Sequence, residues 1–269
     1  MRRTTVLALA MWMGLAAWGQ EDWSDEKKAE FLKKAEVKAS HSAPDGITGT
    51  TKATLSDGTV SHAVSIQTID VTALTPSGNS PPEPGFTDRY VYNMAAYELN
   101  RILKLNMVPV TVIRAFEGRN GSYTWWVDEA MMTEKQRFYK KTQPVDNTAW
   151  NDQMFIVRVF DQLIYNMDRN LGNLVIDRDW KLWMIDHSRA FRIWKQLKEK
   201  KNLVKCDRVL LERLRNLDEA ELHAKLGEYL AKAQVEAIKA RAELIVKEFD
   251  AKIKKKGERE VLYDYLKAK

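Results

Sequence analysis

The sequence predicts an α+β protein of two lobes, a small β-rich one followed by a helical one, and three observations carry that reading. Residues 50–69 are rich in Thr, Val and Ile and break at Ser56-Asp57-Gly58, the pattern of a β-hairpin. Residues 231–256 place Val235, Ile238, Ala242, Ile245, Phe249 and Ile253 at helical spacing and stop at Gly257, the pattern of a long amphipathic helix. Between them, an apolar helix expected over residues 150–167 runs into a short hairpin, 174–176 and 181–185, about an Asp177-Arg178-Asp179 turn.

The chain opens with Arg2 and Arg3, followed by a nearly all-apolar stretch from Val6 to Trp18 and small residues at Ala17 and Gly19. This is the plan of a cleaved signal peptide over residues 1–19, with the mature end near Gln20. The apolar run is too short to span a bilayer comfortably, and no second one follows. The mature chain is therefore expected to be exported, periplasmic or extracellular, without a transmembrane segment; an uncleaved anchor is the alternative. Residues 20–45 form a charged, helix-prone lead-in that ends at Ala43-Pro44-Asp45-Gly46.

The small lobe is expected over residues 46–128. After the hairpin comes a loop, residues 75–85, with four prolines and two glycines. A helix over 90–103 follows, with Val91, Ala95, Leu99 and Ile102 on one face. Strands over 107–114 and 122–127, joined by a turn at Gly118–Gly121, complete the lobe. The helical lobe is expected over 129–269, with two short helices between Arg208 and Leu230 ahead of the long one.

Composition excludes several classes. At 269 residues, 45% hydrophobic and 30% charged, the chain has an ordinary globular balance. A net charge of +6 over 43 basic and 37 acidic residues is no nucleic-acid footprint, and none is expected as a partner. The densest basic run, Lys252 to Lys256, ends the long helix, where cations offset the dipole. Cys206 is the sole cysteine, which rules out an intrachain disulfide or a cysteine-rich metal site. His41, His62, His187 and His223 show no metal-ligand spacing.

The chemistry-bearing segment is Asp168-Arg169-Asn170-Leu171-Gly172-Asn173. Phosphoryl transfer needs a carboxylate to orient the attacking hydroxyl, an amide and a second carboxylate to hold Mg²⁺, and a donor for the phosphate oxygens. Magnesium prefers hard oxygen ligands, hence Asp and Asn. Asp168 and Asn173 sit in a loop at a helix end, and the hairpin returns the chain so that Asp186 can face Asn173. A carboxylate behind the apolar run Leu182-Trp183-Met184-Ile185 needs partners or a metal, because burying it unpaired costs several kcal/mol.

These residues carry a resemblance. The segment from Phe160 to Asn170 resembles the catalytic loop of phosphatidylinositol 3-/4-kinase-like proteins, including their bacterial relatives and the secretory-pathway Golgi kinases. Its Asp168-Arg169 order is theirs. The stretch from Trp183 to Phe191 is similar to their metal-binding strand, Ala95 to Leu103 to their small-lobe helix, and Val108 to Val112 to the strand after it. The resemblance runs from about Gly46 to Phe191 and implies a two-lobed protein-kinase-like fold. It implies Asp168 as the catalytic carboxylate, Asn173 and Asp186 as metal ligands, and Trp126 and Val127 in the interlobe hinge that contacts adenine. The cofactors it implies are Mg²⁺ and ATP or another nucleoside triphosphate. Asp161 is expected to brace the loop rather than react.

The small lobe departs from that pattern. Gln67 stands where the phosphate-binding lysine is expected, and Asn93 where its glutamate partner is expected, so both halves of an ion pair are neutral. Losing both together is coherent, since losing one would strand a charge. Lys52 on the neighbouring strand and Glu98 on the helix are the available substitutes. Three accounts remain open from the sequence. These are a phosphotransferase acting on a protein, lipid or small-molecule hydroxyl, a nucleotidyl transferase on the same scaffold, and an exported pseudokinase serving as a binding module.

Overall fold

A computed structural model describes residues 23–42, 50–73 and 85–267. The proposed signal segment and nearly all of the proline-rich loop at 75–85 lie outside the described residues. The first helix, α1 (Asp25–Lys34), is capped by the Ser24 side chain on the Lys27 amide. Asp25 and Glu26 in its first turn and Lys33 and Lys34 in its last complement the helix dipole. The charged lead-in does not stay helical beyond that point. Residues Glu36–Ser42 form β1, paired antiparallel with β2 (Thr51–Ser56) across a bulge between Val37 and Ala39. An open strand edge offers this segment a backbone partner, and such context overrides a weak helix preference.

The β2 strand pairs with β3 (Ser61–Gln67) as the sequence hairpin predicts. A second small hairpin, β4 (Asp70–Ala73) with β5 (Phe86–Arg89), follows. It leads into α2 (Val91–Ile102), then β6 (Thr111–Phe116) and β7 (Arg119–Trp125). The five-stranded sheet runs β1-β2-β3-β7-β6, antiparallel throughout. Ala53, Leu55, Val64 and Ile66 point into the core on one face, where α1 contributes Phe31 and Leu32. The buried Asn100 of α2 accepts the amides of Met107 and Val108, and Met107 in turn accepts the Met184 amide at 2.7 Å. That extended stretch, not a strand, ties the sheet lobe to the helical one.

The second lobe opens with β8 (Met132–Thr133) and α3 (Glu134–Lys140), entered through a Thr133–Gln136 capping box. Asp146 caps α4 (Asn147–Leu163). Strands β9 (Leu174–Ile176) and β10 (Leu182–Met184) form the expected hairpin, with β8 on its outer side. After β11 (Cys206–Asp207) come α5 (Arg208–Arg215), α6 (Glu219–Leu226) and α7 (Lys232–Lys256). Gly257, at φ 85°, terminates α7 in a conformation other residues resist. A short α8 (Glu258–Val261) then returns the chain to β12 (Leu262–Tyr263), parallel to β11. The α7 residue Arg241 is wholly buried and donates to the carbonyls of Leu163, Arg192 and Trp194, pinning the end of α4 to the segment after β10. Among the described residues, no helix is long and apolar enough to cross a membrane.

Candidate active site

The hairpin places the predicted site residues at one edge. Beyond the last pair, Leu174 with Met184, the Ile185 amide donates to the Asn173 carbonyl at 3.1 Å. Asp186, next in the chain, therefore lies beside Asn173. The Asn173 side chain reaches back to the Asp168 carbonyl at 3.1 Å. Asp186 itself has φ 54°, a left-handed conformation that aspartate tolerates better than most residues.

Arg169 fixes this geometry. Its Nε donates to both carboxylate oxygens of Asp161 at 3.1 and 3.0 Å. One terminal nitrogen donates to the carbonyls of Asn173 and Ile185, and the other to His187 Nε2 at 3.0 Å. One planar guanidinium thus joins the end of α4 to both ends of the hairpin. Asp161 also accepts from Asn166, whose own side-chain oxygen receives the Asp168 amide. Asp161 thus braces the loop, the role expected of it from the sequence. His187 is fully buried, and burial together with the Arg169 charge pushes its pKa well below the usual histidine value. It serves Arg169 as a neutral acceptor.

The small lobe supplies the roof. Gln67 Nε2 donates to Asp186 Oδ1 at 3.1 Å and to Thr50 Oγ1 at 3.0 Å. Asn93 Nδ2 donates to Gln67 Oε1 at 2.5 Å and to Ser122 Oγ at 3.1 Å, while Asn93 Oδ1 accepts the His187 amide at 2.8 Å. Every donor and acceptor of both amides is used, so the neutral pair forms a complete network. Glu98 stands elsewhere, paired with Arg101 on the other side of α2. Lys52 has its ammonium 3.9 Å from the Trp126 ring. Trp126 is 36% exposed, whereas Val127 beside it is buried. Asp128 anchors this hinge through His62 Nε2 at 2.7 Å, Trp125 Nε1 at 3.0 Å and Lys28 at 3.1 Å. A cavity of about 430 Å³ abuts the hinge, lined in part by Lys28, Val127, Asp128, Lys181 and Trp183. Asp168, Asn173 and Asp186 do not line it.

One residue was missed by sequence reasoning. Asp88, on β5, is only 3% exposed, and among the described residues its Oδ1 has no hydrogen-bond partner. Burial pushes its carboxyl up, the Ser188 hydroxyl pulls it down, and the nearby Asp186 charge pushes it up again. No motif marked it, because β5 is a four-residue strand with no periodic signal.

Searches for a matching family profile and for a curated relative found none. Solved structures do match. Hydra Fam20 with sugar superposes with a TM-score of 0.67 at 13% identity, over 89% of this chain and 92% of that one. The Golgi casein kinase gives 0.63 at 14% identity, over 90% and 79%. Its form with Mn/ADP bound gives 0.63 at 13%, over 90% and 80%. The chain has a two-lobed, kinase-like α+β fold. At such identities the likeness speaks for the fold alone.

The residues present suit a divalent ion with a nucleotide. Both donors on Asp186, Gln67 and Ser188, engage Oδ1, and among the described residues Oδ2 accepts no hydrogen bond. Asp186 Oδ2 and Asp88 Oδ1 are thus both hard, anionic oxygens without a hydrogen bond among the described residues. Among the described residues, no three His, Cys, Asp or Glu side chains enclose a metal unaided. A divalent ion held by Asp186 and Asn173 would need further ligands to complete its shell.

Proposed function

We propose that this chain is a metal- and nucleotide-dependent phosphotransferase with an atypical kinase-like site. The observation that carries the reading is the convergence of Asp168, Asn173 and Asp186 at one hairpin edge, held there by Arg169. Asp168 orients the acceptor hydroxyl and receives its proton. Its carboxylate is about two-fifths exposed, accessible to an acceptor, and lies 3.7 Å from Arg189. Asn173 and Asp186 hold Mg²⁺, which when bound offsets the charge of the transferring phosphate. Trp126 and Val127 present the hinge to the base of ATP or another triphosphate. Gln67 and Asn93 hold Asp186 in place without charge, and Lys52 is the cation available to the phosphates from the cleft roof.

The likeness to a kinase solved with Mn/ADP supports the cofactor class. The phosphatidylinositol-kinase-like label rests on the catalytic-loop sequence. The acceptor is a hydroxyl on a protein, lipid or small molecule. Export by residues 1–19 is part of the same reading; a reporter fused to residues 1–25 that stays uncleaved in the cytoplasm of a bacterial host removes it. The neutral Gln67–Asn93 pair favours a second reading, a nucleotide-binding pseudokinase. Transfer of labelled γ-phosphate from ATP, with Mg²⁺, to the chain itself or to a panel of hydroxyl acceptors distinguishes the two. Nucleotide binding without transfer in wild type supports the binding module, and absence of both overturns the functional reading.

A further inference from the structure

The β5 strand docks directly on the segment that follows Asp186. The Arg89 amide donates to the Ser188 carbonyl at 2.8 Å, and Arg192 donates to the Thr87 hydroxyl and carbonyl. Asp88, between those two anchors, is consequently held against the site and 97% buried from solvent. Ser188, itself buried, donates to Asp186 Oδ1 at 3.2 Å, and its hydroxyl also stands near enough to the Asp88 carboxyl to pull it down. A hydroxyl carries one proton, so it can donate to only one of two carboxylates at a time. Among the described residues, Asp88 Oδ1 has no hydrogen-bond partner.

A buried, under-satisfied carboxylate costs free energy unless a cation or donor answers it. Here Asp186 and Asp168 both lie near enough to push the Asp88 carboxyl up, and Arg189, 3.7 Å from Asp168, near enough to pull it down. Arg89, next in sequence to Asp88, is committed to Asp70. The α2 position expected to be acidic is Asn93, so the small lobe presents no carboxylate there. The β5 strand presents one instead.

We propose that Asp88 is a carboxylate of the nucleotide–metal site, the acid this small lobe contributes from β5 in place of the one absent from α2. The proposal rests on the phosphotransferase reading of the site and adds a residue to it. Ser188 tethers Asp88 to Asp186 before the ion arrives. With the ion bound, Asp88 Oδ1 takes part in its shell directly or through a coordinated water, while Asp186 and Asn173 supply the large-lobe ligands.

The test measures Mn²⁺ binding by the loss of free-ion electron paramagnetic resonance signal, with and without a non-hydrolysable ATP analogue. Wild type, Asp88→Asn and Ser188→Ala are compared. Asp88→Asn should weaken nucleotide-dependent Mn²⁺ binding at least tenfold and leave metal-free nucleotide binding unchanged. It should also melt no lower than wild type in EDTA, because it removes a buried charge that is only partly compensated. Ser188→Ala should retain Mn²⁺ affinity within a few-fold, since the tether is not a ligand. If Asp88→Asn proves unstable, Asp88→Ser replaces it with the same expectation. Wild-type Mn²⁺ affinity in a folded Asp88 variant overturns this proposal alone. Failure of wild type to bind Mn²⁺ with nucleotide overturns it together with the phosphotransferase reading.

Discussion

Asn93 and Gln67 face each other across the roof of the cleft, Nδ2 to Oε1, at 2.5 Å. The pairing matters because Gln67 also reaches Asp186 and Asn93 also receives the His187 amide, so two neutral side chains position the segment that follows β10. A lysine at 67 would meet Asp186, and a glutamate at 93 would set a buried charge against Gln67 Oε1 and Ser122 Oγ, which Asn93 now serves as a donor. Asn93→Glu alone should therefore destabilise the fold by roughly 2–4 kcal/mol. Gln67→Lys alone should occupy Asp186 and reduce the Mg²⁺-dependent part of nucleotide binding. The double variant should recover about 1–3 kcal/mol relative to the sum of the singles. Urea unfolding of the four proteins measures this, and additivity would mean that the contact contributes nothing specific.

The two aspartates should separate on removal of charge. Saturating Mg²⁺ and ATP at a hundred times the dissociation constant stabilise a single-site protein by about 2.7 kcal/mol. For a domain this size, that raises the melting point several degrees, at roughly 2–4 °C per kcal/mol. Asp186→Asn should abolish most of the Mg²⁺-dependent rise. Asp168→Asn should keep it and lose transfer, since its proposed task is to orient the acceptor. Equal loss in both variants would assign Asp168 to the metal instead.

The hairpin edge was legible because its information is local. The Asp168-to-Asn173 spacing, the apolar run before Asp186 and the turn at Asp177 specify a loop, a hairpin and their convergence. Gln67 opposite Asn93 was legible only through alignment to a known pattern, since 26 residues separate them. Three features were not legible. The β1 strand reads as helix because pairing with β2, not its own composition, decides it. Asp88 lies on a short strand with no periodic signal, and its neighbours Ser188 and Asp186 are about a hundred residues away in the chain. The Lys52–Trp126 contact depends on how two strands and a hinge come together, which no local pattern encodes.

Lys52 tests what the roof offers in place of the missing lysine. Its ammonium rests over the Trp126 ring, an attraction of about 0.5–1 kcal/mol at an exposed site, weak enough for a phosphate to displace. Thr50, just before β2 and two residues from Lys52, accepts from Gln67; that is about 7 Å of extended chain, within the sweep of a four-carbon stem. Lys52→Met should weaken ATP binding about tenfold and adenosine binding much less. Equal losses for both ligands would make Lys52 part of the base platform.

Gly121 protects the roof from the side. A Cβ there would stand 2.8 Å from the Gln67 carbonyl oxygen and 2.9 Å from Thr68 Cγ2. The first of these is backbone and cannot turn away, so β3 must shift. Gly121→Ala should destabilise by about 1–3 kcal/mol and, by moving Gln67 off Asp186, also shrink the Mg²⁺–ATP melting shift. A lower urea midpoint with an intact nucleotide shift would confine the damage to the sheet.

Lys181 makes stability depend on pH at the far side of the hinge. It precedes β10, lines the cavity there, and holds its ammonium 3.7 Å from the Trp183 ring. Burial pushes its pKa from 10.5 down to about 8, with the Asp177 charge pulling the other way. Between about pH 8 and 10.5 the unfolded chain therefore binds more protons at this position than the folded one, and stability rises with pH across that window. Below about pH 8 both states are charged and the cost of burying the ammonium is fully present. Lys181→Met keeps the stem against Trp183 and removes the charge. It should be more stable than wild type by roughly 2–3 kcal/mol at pH 7, and the difference should fall by more than half near pH 10. Urea unfolding at the two pH values reads this directly, because shifts at unrelated groups cancel between the proteins. A stability difference that does not change with pH would mean that Lys181 titrates alike in the folded and unfolded chains.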